Sequence, residues 1–323
     1  MNTFNKQRII IGIALGFAWA GTDLAKPPPE GGGGASHIQR GIELAEQKHF
    51  DAAVEEFGKA IAANPNDPRG YANRGTAYRQ GGRAAEAAND ADGANTRYTA
   101  AVADFSKVIE LSPKNASGYL ERGQTEYLLK QYDPALADLN KALELKPDDI
   151  LALKFRGAAE IGLSQWDKAL ADMTTAIQKD PNDPISYDRR AWANRNLKNY
   201  DAAVADYTLL IEKNPADAEH LVKRGATYTA MLQFEKAIAD YQAALKLNPQ
   251  DNDTFQRLQY VQGMLAAKNA PPPTATPTPE KPSLMSRISP MYIVIIIIVL
   301  VVLAVIVRLV TRGKAEPTSH IIR

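Results

Sequence analysis

Cysteine is absent from this 323-residue chain, so disulfide bonds, thiol catalysis and cysteine-ligated metal sites are excluded. The four histidines lie far apart, without the spacing of a metal-ligand pair, and we expect neither a metal nor a cofactor. A formal net charge of +1 gives no basic excess for polyanions, which disfavours a nucleic-acid-binding protein. The sequence also lacks a phosphate-binding loop and a nucleophile motif, so we predict that the protein is not an enzyme.

The first 20 residues are arranged like a secretory signal peptide. Lys6 and Arg8 precede a short apolar run, and residues 18–20 (AWA) fit the small-residue cleavage pattern. The apolar run is shorter than the roughly 20 residues that a membrane span needs. We therefore predict a signal peptide at residues 1–20 and a linker rich in proline and glycine at 21–33; an uncleaved signal anchor is the alternative.

A second apolar segment lies near the other end, where residues 291–307 are unbroken apolar sequence. The segment extends to residue 310 if Arg308 reaches the headgroups, which predicts a transmembrane helix at 291–310. Basic residues outnumber acidic ones after it, so the tail, residues 311–323, is expected in the cytoplasm. With the signal peptide, this predicts a single-pass protein of the inner (plasma) membrane whose main domain lies outside the cytoplasm.

A repeat of 34 residues organises the region between these segments. Five prolines follow one another at this interval: Pro113, Pro147, Pro181, Pro215 and Pro249. If that proline is position 32 of each repeat, position 8 is glycine or alanine, position 20 is always alanine, and positions 17 and 24 are large and mostly aromatic. Apolar residues at 4, 8 and 11, and again at 17, 20, 24 and 27, recur at helical spacing. Each repeat is therefore predicted to be two closely packed helices, the second ended by its proline.

This pattern resembles the tetratricopeptide repeat (TPR), and six copies cover residues 34–251. The resemblance implies an all-α fold, a right-handed α-solenoid whose first helices line a concave groove for partner proteins. Residues 252–269 are predicted to form a capping helix with Phe255, Leu258 and Val261 on one face. The proline-rich segment at 270–290 would then be a semi-rigid linker to the membrane helix.

Two further features stand out within the array. The second repeat has 14 extra residues around 81–95, between its two helices, which predict either longer helices or a loop. Every repeat also has arginine at position 7 and an acidic residue at position 23. These residues are Arg40, Arg74, Arg122, Arg156, Arg190 and Arg224, with Glu56, Asp104, Asp138, Asp172, Asp206 and Asp240. Because catalysis needs one converged site rather than six copies, we interpret them as ion pairs that fix helix register.

The repeat frame also predicts which side chains line the groove. The stretch RRAWANRN, residues 189–196, falls in the first helix of repeat five, and Trp192 is expected to face outward there. The predicted groove residues are Asn73, Arg79, Lys154, Phe155, Arg189, Trp192, Arg195, Asn196 and Lys223. Two aromatic side chains among basic ones predict binding of acidic or carboxylate-bearing peptides with an apolar anchor. The alternative is that Trp192 packs on a neighbouring helix and the charges are merely solvated.

These features together predict a membrane-tethered scaffold that binds partner peptides or proteins in its groove, on the periplasmic or exported side. Confinement to the membrane would raise the effective concentration of whatever the groove holds. One alternative is a cytosolic tail-anchored adaptor, in which the N-terminal run is not a signal. Another is a non-catalytic accessory subunit of an envelope enzyme complex. Most of the positions with which chaperone-binding TPR proteins clamp a carboxylate are not matched, Ala158 being one, so a chaperone tail is not an expected ligand.

Overall fold

The structure, a computed structural model, describes residues 33–270 and 289–312. The predicted signal peptide, most of both linkers and nearly all of the tail lie outside these residues. The first unit of the chain, residues 1–267, contains the repeats. Its helices are α1 (Gly33–Glu46), α2 (Phe50–Ala63), α3 (Pro68–Ala87), α4 (Ala91–Leu111), α5 (Ala116–Leu128), α6 (Tyr132–Leu145), α7 (Ile150–Gly162), α8 (Trp166–Lys179), α9 (Pro184–Asn196), α10 (Tyr200–Lys213), α11 (Ala218–Ala230), α12 (Phe234–Leu247) and α13 (Asn252–Asn269). The described ranges contain no β-strand, and the predicted all-α fold is confirmed.

The twelve helices α1–α12 pack as six antiparallel pairs. The second helix of each pair also contacts the first helix of the next pair. First helices of neighbouring repeats approach one another as well, as α5 approaches α7 and α7 approaches α9. The first helices of the repeats therefore lie on the inner, concave side of the helix array, as in the predicted right-handed α-solenoid.

The small residues of the repeat lie where the predicted close approach requires them. A Cβ atom on Gly75 would lie 2.9 Å from the ring of Phe105, and one on Gly225 would lie 2.9 Å from the ring of Tyr241. Position 20 is fully buried in all six repeats: Ala53, Ala101, Ala135, Ala169, Ala203 and Ala237. Any larger side chain at these positions would separate the two helices of its repeat.

Turn and cap residues recur with the same period. Each turn between the two helices of a repeat has one residue in the left-handed backbone region: Lys48, Asn89, Lys130, Ser164, Lys198 and Leu232. In repeat four, Ser164 N–H donates to the Ile161 carbonyl at 3.0 Å and Gln165 N–H to the Glu160 carbonyl at 2.8 Å, which is a Schellman motif. The first helices α3, α5, α7, α9 and α11 begin at a side-chain cap: Asp67, Asn115, Asp149, Asp183 and Asp217.

The extra residues of repeat two lengthen both of its helices. Helices α3 and α4 have 20 and 21 residues, whereas α5 and α6 of the next repeat have 13 and 14. Asp90 caps α4 by accepting a hydrogen bond from Gly93 N–H at 2.9 Å. The Tyr98 hydroxyl donates to Glu86 at 3.0 Å, and so joins the two extended helices. The insertion is thus helical, which resolves the choice that the sequence left open.

Five of the six predicted arginine–carboxylate pairs are formed. Each arginine donates through Nε and Nη2 to the two carboxylate oxygens, at 2.6–2.9 Å. The prediction for repeat one is wrong: Arg40 contacts Glu43 at 3.3 Å, while Glu56 pairs with His37 and Lys59. No helix precedes α1 in the described residues to cover Arg40, and its side chain is 61% exposed.

The capping helix α13 packs through two of the three residues predicted for its buried face. Leu258 and Val261 are buried as expected, but Phe255 is 49% exposed and Thr254 is buried in its place. The Thr254 hydroxyl donates to Asp251 at 2.6 Å, so its polar atom is satisfied inside the interface. Leu258 and Val261 pack in one apolar cluster with Phe234, Ala237 and Tyr241 of α12.

The second unit, residues 268–323, contains α14 (Pro290–Arg312). Its residues Pro290–Thr311 include an 18-residue window with a mean hydropathy of 3.6, and none of that window is buried. In length and composition this helix is sufficient to cross a membrane. It coincides with the segment predicted as transmembrane from the sequence.

Candidate partner-binding groove

The candidate site is the inner face of the solenoid, built from the first helices α3, α5, α7, α9 and α11. In its N-terminal half, Arg79 forms an ion pair with Glu121 of the next repeat and donates to Gln124 Oε1 at 3.2 Å. Asn73 is 2% exposed and donates to the Arg69 carbonyl at 2.8 Å. The prediction that Asn73 is presented in the groove is therefore wrong, since its amide is buried within α3 and its surroundings.

Lys154 and Phe155 in the middle of the groove are also buried. Phe155 is 1% exposed, and its ring meets that of Tyr127 edge-on, with the centroids 5.7 Å apart. Lys154 is 8% exposed, with Nζ 3.0 Å from the carboxylate of Asp183, the cap of α9. Burial alone would raise the pKa of Asp183, but hydrogen bonds from Ser186 and Lys154 lower it overall. Both residues fill the interface with a neighbouring repeat, so the prediction that they face a ligand is wrong.

Arg189 is the most deeply buried of the predicted basic residues, at 3% exposure. Its Nη1 donates to the carbonyl oxygen of Lys154 at 2.8 Å, which joins repeat five to repeat four. Burial lowers the pKa of Arg189, although the carboxylates of Asp188 and Asp183 act in the opposite direction. The prediction that Arg189 is available to a partner is wrong, because its guanidinium is enclosed by protein.

Lys223 remains partly exposed, but its charge is balanced within the solenoid. Its Nζ lies 2.7 Å from Asp188 of repeat five and 2.8 Å from Glu219, one turn earlier in α11. Burial would lower the pKa of Lys223, but these two carboxylates raise it overall. Lys223 therefore acts first as a link between repeats five and six.

Three predicted groove residues are half-buried and form no ion pair within the described residues: Trp192, Arg195 and Asn196. The Arg195 guanidinium lies 5.5 Å from the centroid of the Trp192 ring, and its buried Nε has no hydrogen-bond partner. Asn196 donates to the Trp192 carbonyl at 2.8 Å. In the repeat register, the neighbours of Trp192 are Ala158 and Ala226. The indole is thus the largest side chain between two small ones on the inner face.

Two acidic residues that pair with these basic groups, Asp183 and Asp188, were not predicted from the sequence. A signal was present, because each lies about one repeat away from its partner: Lys154 precedes Asp183 by 29 residues, and Asp188 precedes Lys223 by 35. Opposite charges at that spacing fall on facing sides of neighbouring repeats. In the described part of the chain, no group of three His, Asp or Glu side chains is placed to hold a metal ion.

Two buried carboxyl groups lie beneath the groove at position 11 of repeats three and four. Glu126 and Glu160 are 8% and 5% exposed, and each has one oxygen without a hydrogen-bond partner. Burial first, and then the nearby Asp138 or Asp172, raises the pKa of each to about 7. These side chains therefore titrate near neutral pH. The raised pKa values could not be predicted from the sequence, because the residue at position 11 varies among the repeats.

The helix arrangement of the chain is similar to that of solved structures of other proteins. No curated protein matches the sequence. PilF from Pseudomonas aeruginosa aligns with a TM-score of 0.56 at 16% identity, over 72% of this chain and 97% of PilF. YrrB, described as a TPR protein with an unusual peptide-binding site, aligns with a TM-score of 0.51 at 22% identity, over 64% of this chain and 99% of YrrB. At these identities the similarity establishes the fold alone.

The family assignment rests on the sequence profiles of the repeat itself. One tetratricopeptide repeat profile matches residues 38–94, 90–150 and 156–218, and a second matches residues 218–251. These matches cover more than half of the chain and coincide with helices α1–α12. The fold is one that serves as a scaffold for protein–protein interaction. The chain belongs to the tetratricopeptide repeat family.

Proposed function

We propose that this protein is a non-enzymatic scaffold, tethered to a membrane by α14, that holds a partner protein segment in the C-terminal half of its groove. The observation that carries this proposal is the position of Trp192. Its half-buried indole shares its repeat position with the small side chains of Ala158 and Ala226, from which we infer space for an apolar side chain beside the ring. Partly exposed tryptophan side chains in such depressions are frequent hot spots of protein binding.

The remainder of the groove is held by ion pairs between neighbouring repeats, which favours binding. Ion pairs between neighbouring repeats, such as Lys154 with Asp183 and Lys223 with Asp188, fix the spacing of the first helices. Few side chains of the scaffold therefore become ordered when a partner binds, so the conformational entropy cost of binding is smaller. The peptide-binding site described for YrrB is a precedent for a peptide ligand on this fold.

The membrane attachment is proposed from the two ends of the chain. The 22 residues Pro290–Thr311 suffice for one span, and the residues that follow are mainly basic. The start of the sequence has the arrangement of an export signal. We therefore place the solenoid on the exported side of the inner membrane, where tethering concentrates its partner near the bilayer.

Partner capture tests the role of the groove. The full chain is purified in detergent as wild type, as Trp192→Ala and as the control Tyr260→Ala, which removes a 63% exposed aromatic side chain from α13. Wild type and the control should retain the same envelope proteins, which Trp192→Ala should lose while it keeps the helicity and melting temperature of wild type. Retention of these proteins by Trp192→Ala would remove Trp192 from the binding surface.

Thiol labelling tests the topology, since the native chain contains no cysteine. One variant has Ala88→Cys, at an exposed position of the repeat-two extension, and another has Ser319→Cys in the tail. Intact cells receive a thiol reagent that crosses the outer but not the inner membrane. Labelling at residue 88 alone is expected. Labelling at residue 319 alone would reverse the topology and favour the cytosolic adaptor.

A further inference from the structure

We propose that Arg195 is the residue of the groove that binds a carboxylate, and that it receives an Asp or Glu side chain of a peptide whose neighbouring apolar residue packs on Trp192. This inference rests on the proposed function and specifies the chemistry of the partner. It differs from the prediction made from the sequence, in which several basic residues of the groove shared this role.

The structure separates Arg195 from the other basic residues of the groove by their partners. Arg79 is paired with Glu121, Lys154 with Asp183, and Lys223 with Asp188 and Glu219. Arg189 is buried and donates to a backbone carbonyl. A peptide carboxylate could bind any of these four only by breaking an existing interaction. Within the described residues, Arg195 makes no ion pair, so it can bind a carboxylate without such a loss.

The setting of the Arg195 guanidinium strengthens an ionic contact. The group lies over the Trp192 ring, and its Nε is already shielded from water. Partial exclusion of water increases the attraction between opposite charges relative to a fully solvated pair. A planar guanidinium stacked on an aromatic ring can still offer its outer nitrogens to a carboxylate, which an ammonium group in this position would not do as well.

The inner face around Arg195 also sets where along α9 the acidic residue binds. One repeat before and one repeat after, the equivalent positions are Ile161 and Thr229, which are uncharged. The carboxylates of this region, Asp188 and Glu219, lie nearer the N-terminal ends of their helices and are engaged by Lys223. An acidic side chain is therefore favoured near the C-terminal end of α9 and repelled near its start. Because the inner face continues over α7 and α11, the chain can pass across α9, which favours an internal side chain over a chain terminus.

A charge-reversal selection tests this assignment. Three versions of the full chain are placed in lipid nanodiscs and used to select peptides from a random 12-residue phage-displayed library. They are the wild type, Arg195→Glu and the control Lys198→Glu, which reverses an exposed charge three residues away. Wild type and the control should enrich Asp or Glu beside a large apolar residue. Arg195→Glu should lose this enrichment and select Lys or Arg instead. An unchanged acidic preference in Arg195→Glu would overturn the inference.

A synthetic peptide from the selection then provides a double-mutant cycle. Replacing its Glu by Gln should weaken binding to wild type about tenfold, and binding to Arg195→Gln less than twofold. Amidation of the peptide C-terminus should leave the Kd within about twofold of its original value. If amidation alone weakened binding, the carboxylate would be the chain terminus and the side-chain assignment would be wrong.

The two proposals fail separately in these experiments. If Trp192→Ala abolished selection while Arg195→Glu changed nothing, the groove would remain the binding site and the role of Arg195 would be rejected. If wild type enriched no peptide at all, both the groove and the Arg195 assignment would be rejected.

Discussion

Arg156 holds Asp172 through two parallel hydrogen bonds of 2.7 Å each, and its remaining nitrogen, Nη1, donates to Asn140 of the preceding repeat at 2.9 Å. One side chain thus connects three helices, α6, α7 and α8. The same guanidinium geometry recurs at Arg122 and Arg224, whose Nη1 atoms donate to Ser106 and Thr208 at 3.0 Å. These arginines set the register both within and between repeats.

Removal of this link should destabilise the solenoid. We expect Arg156→Ala to lower the free energy of unfolding by about 2–3 kcal/mol, because it leaves the carboxylate of Asp172, which is 6% exposed, without its partner. The matched control is Arg40→Ala, at the same repeat position but 61% exposed, with an expected effect below about 0.5 kcal/mol. Urea denaturation measures both, and equal effects would show that the pair does not stabilise the array.

Stability should fall as the pH rises toward and beyond 7. The pKa of Glu126 and of Glu160 is raised from its ordinary value of 4.5 to about 7, mainly by burial. A raised pKa in the folded state means that the folded protein binds the proton more tightly, so this stabilisation is complete below about pH 4.5 and is lost as the pH passes 7. Each carboxyl contributes about 1–3 kcal/mol to this change.

The test compares melting temperatures at about pH 5.5 and pH 8, on either side of the raised pKa values. Wild type should melt at a lower temperature at the higher pH, whereas Glu126→Gln with Glu160→Gln should reduce this difference and melt above wild type at pH 8. A wild-type melting temperature that rises with pH would contradict the account of these two carboxyls.

Leu232 occupies a turn position that a leucine tolerates poorly. Its φ is 58°, in the left-handed region, and its side chain is 63% exposed. Leu232→Gly should therefore raise the free energy of unfolding by about 0.5–1 kcal/mol, since the strain removed exceeds the flexibility gained by the unfolded chain. Leu247→Gly is the control: this leucine is 45% exposed but helical, and the same replacement should destabilise. A lower free energy of unfolding in Leu232→Gly would show that the backbone of Leu232 is not strained.

The extension of repeat two depends on a close contact at Gly82. A Cβ atom there would lie 2.5 Å from Tyr98 Cε1, so Gly82→Ala should cost about 1–3 kcal/mol and accelerate amide exchange in residues 84–98. Gly263→Ala provides the contrast, because nothing lies within 4 Å of its added methyl group and alanine favours the helix by up to about 1 kcal/mol. If Gly82→Ala left exchange in the extension unchanged, the packing of Tyr98 would not hold it together.

The sequence allowed the helix pairs to be predicted because their determinants repeat. Several positions recur in the repeats and therefore reveal a structural requirement: alanine at position 20, proline at 32 and the paired charges at 7 and 23. The groove was predicted less well, because a shared helix face does not reveal how deeply a side chain is buried by the next repeat. Phe155 and Trp192 occupy nearly equivalent faces, yet Phe155 is enclosed and Trp192 is partly exposed. That difference depends on the side chains of neighbouring helices, as does the exposure of Phe255 on α13.

Site-specific photocrosslinking in intact cells tests the central claim most directly. A benzophenone amino acid replaces Ala226, beside Trp192 on the inner face, or Glu144, an exposed residue of the second helix α6. We predict a covalent adduct with a partner protein from position 226, no adduct from position 144, and loss of the adduct from 226 when Trp192→Ala is added. Equal adducts from both positions, or an adduct at 226 that survives Trp192→Ala, would contradict binding in the groove.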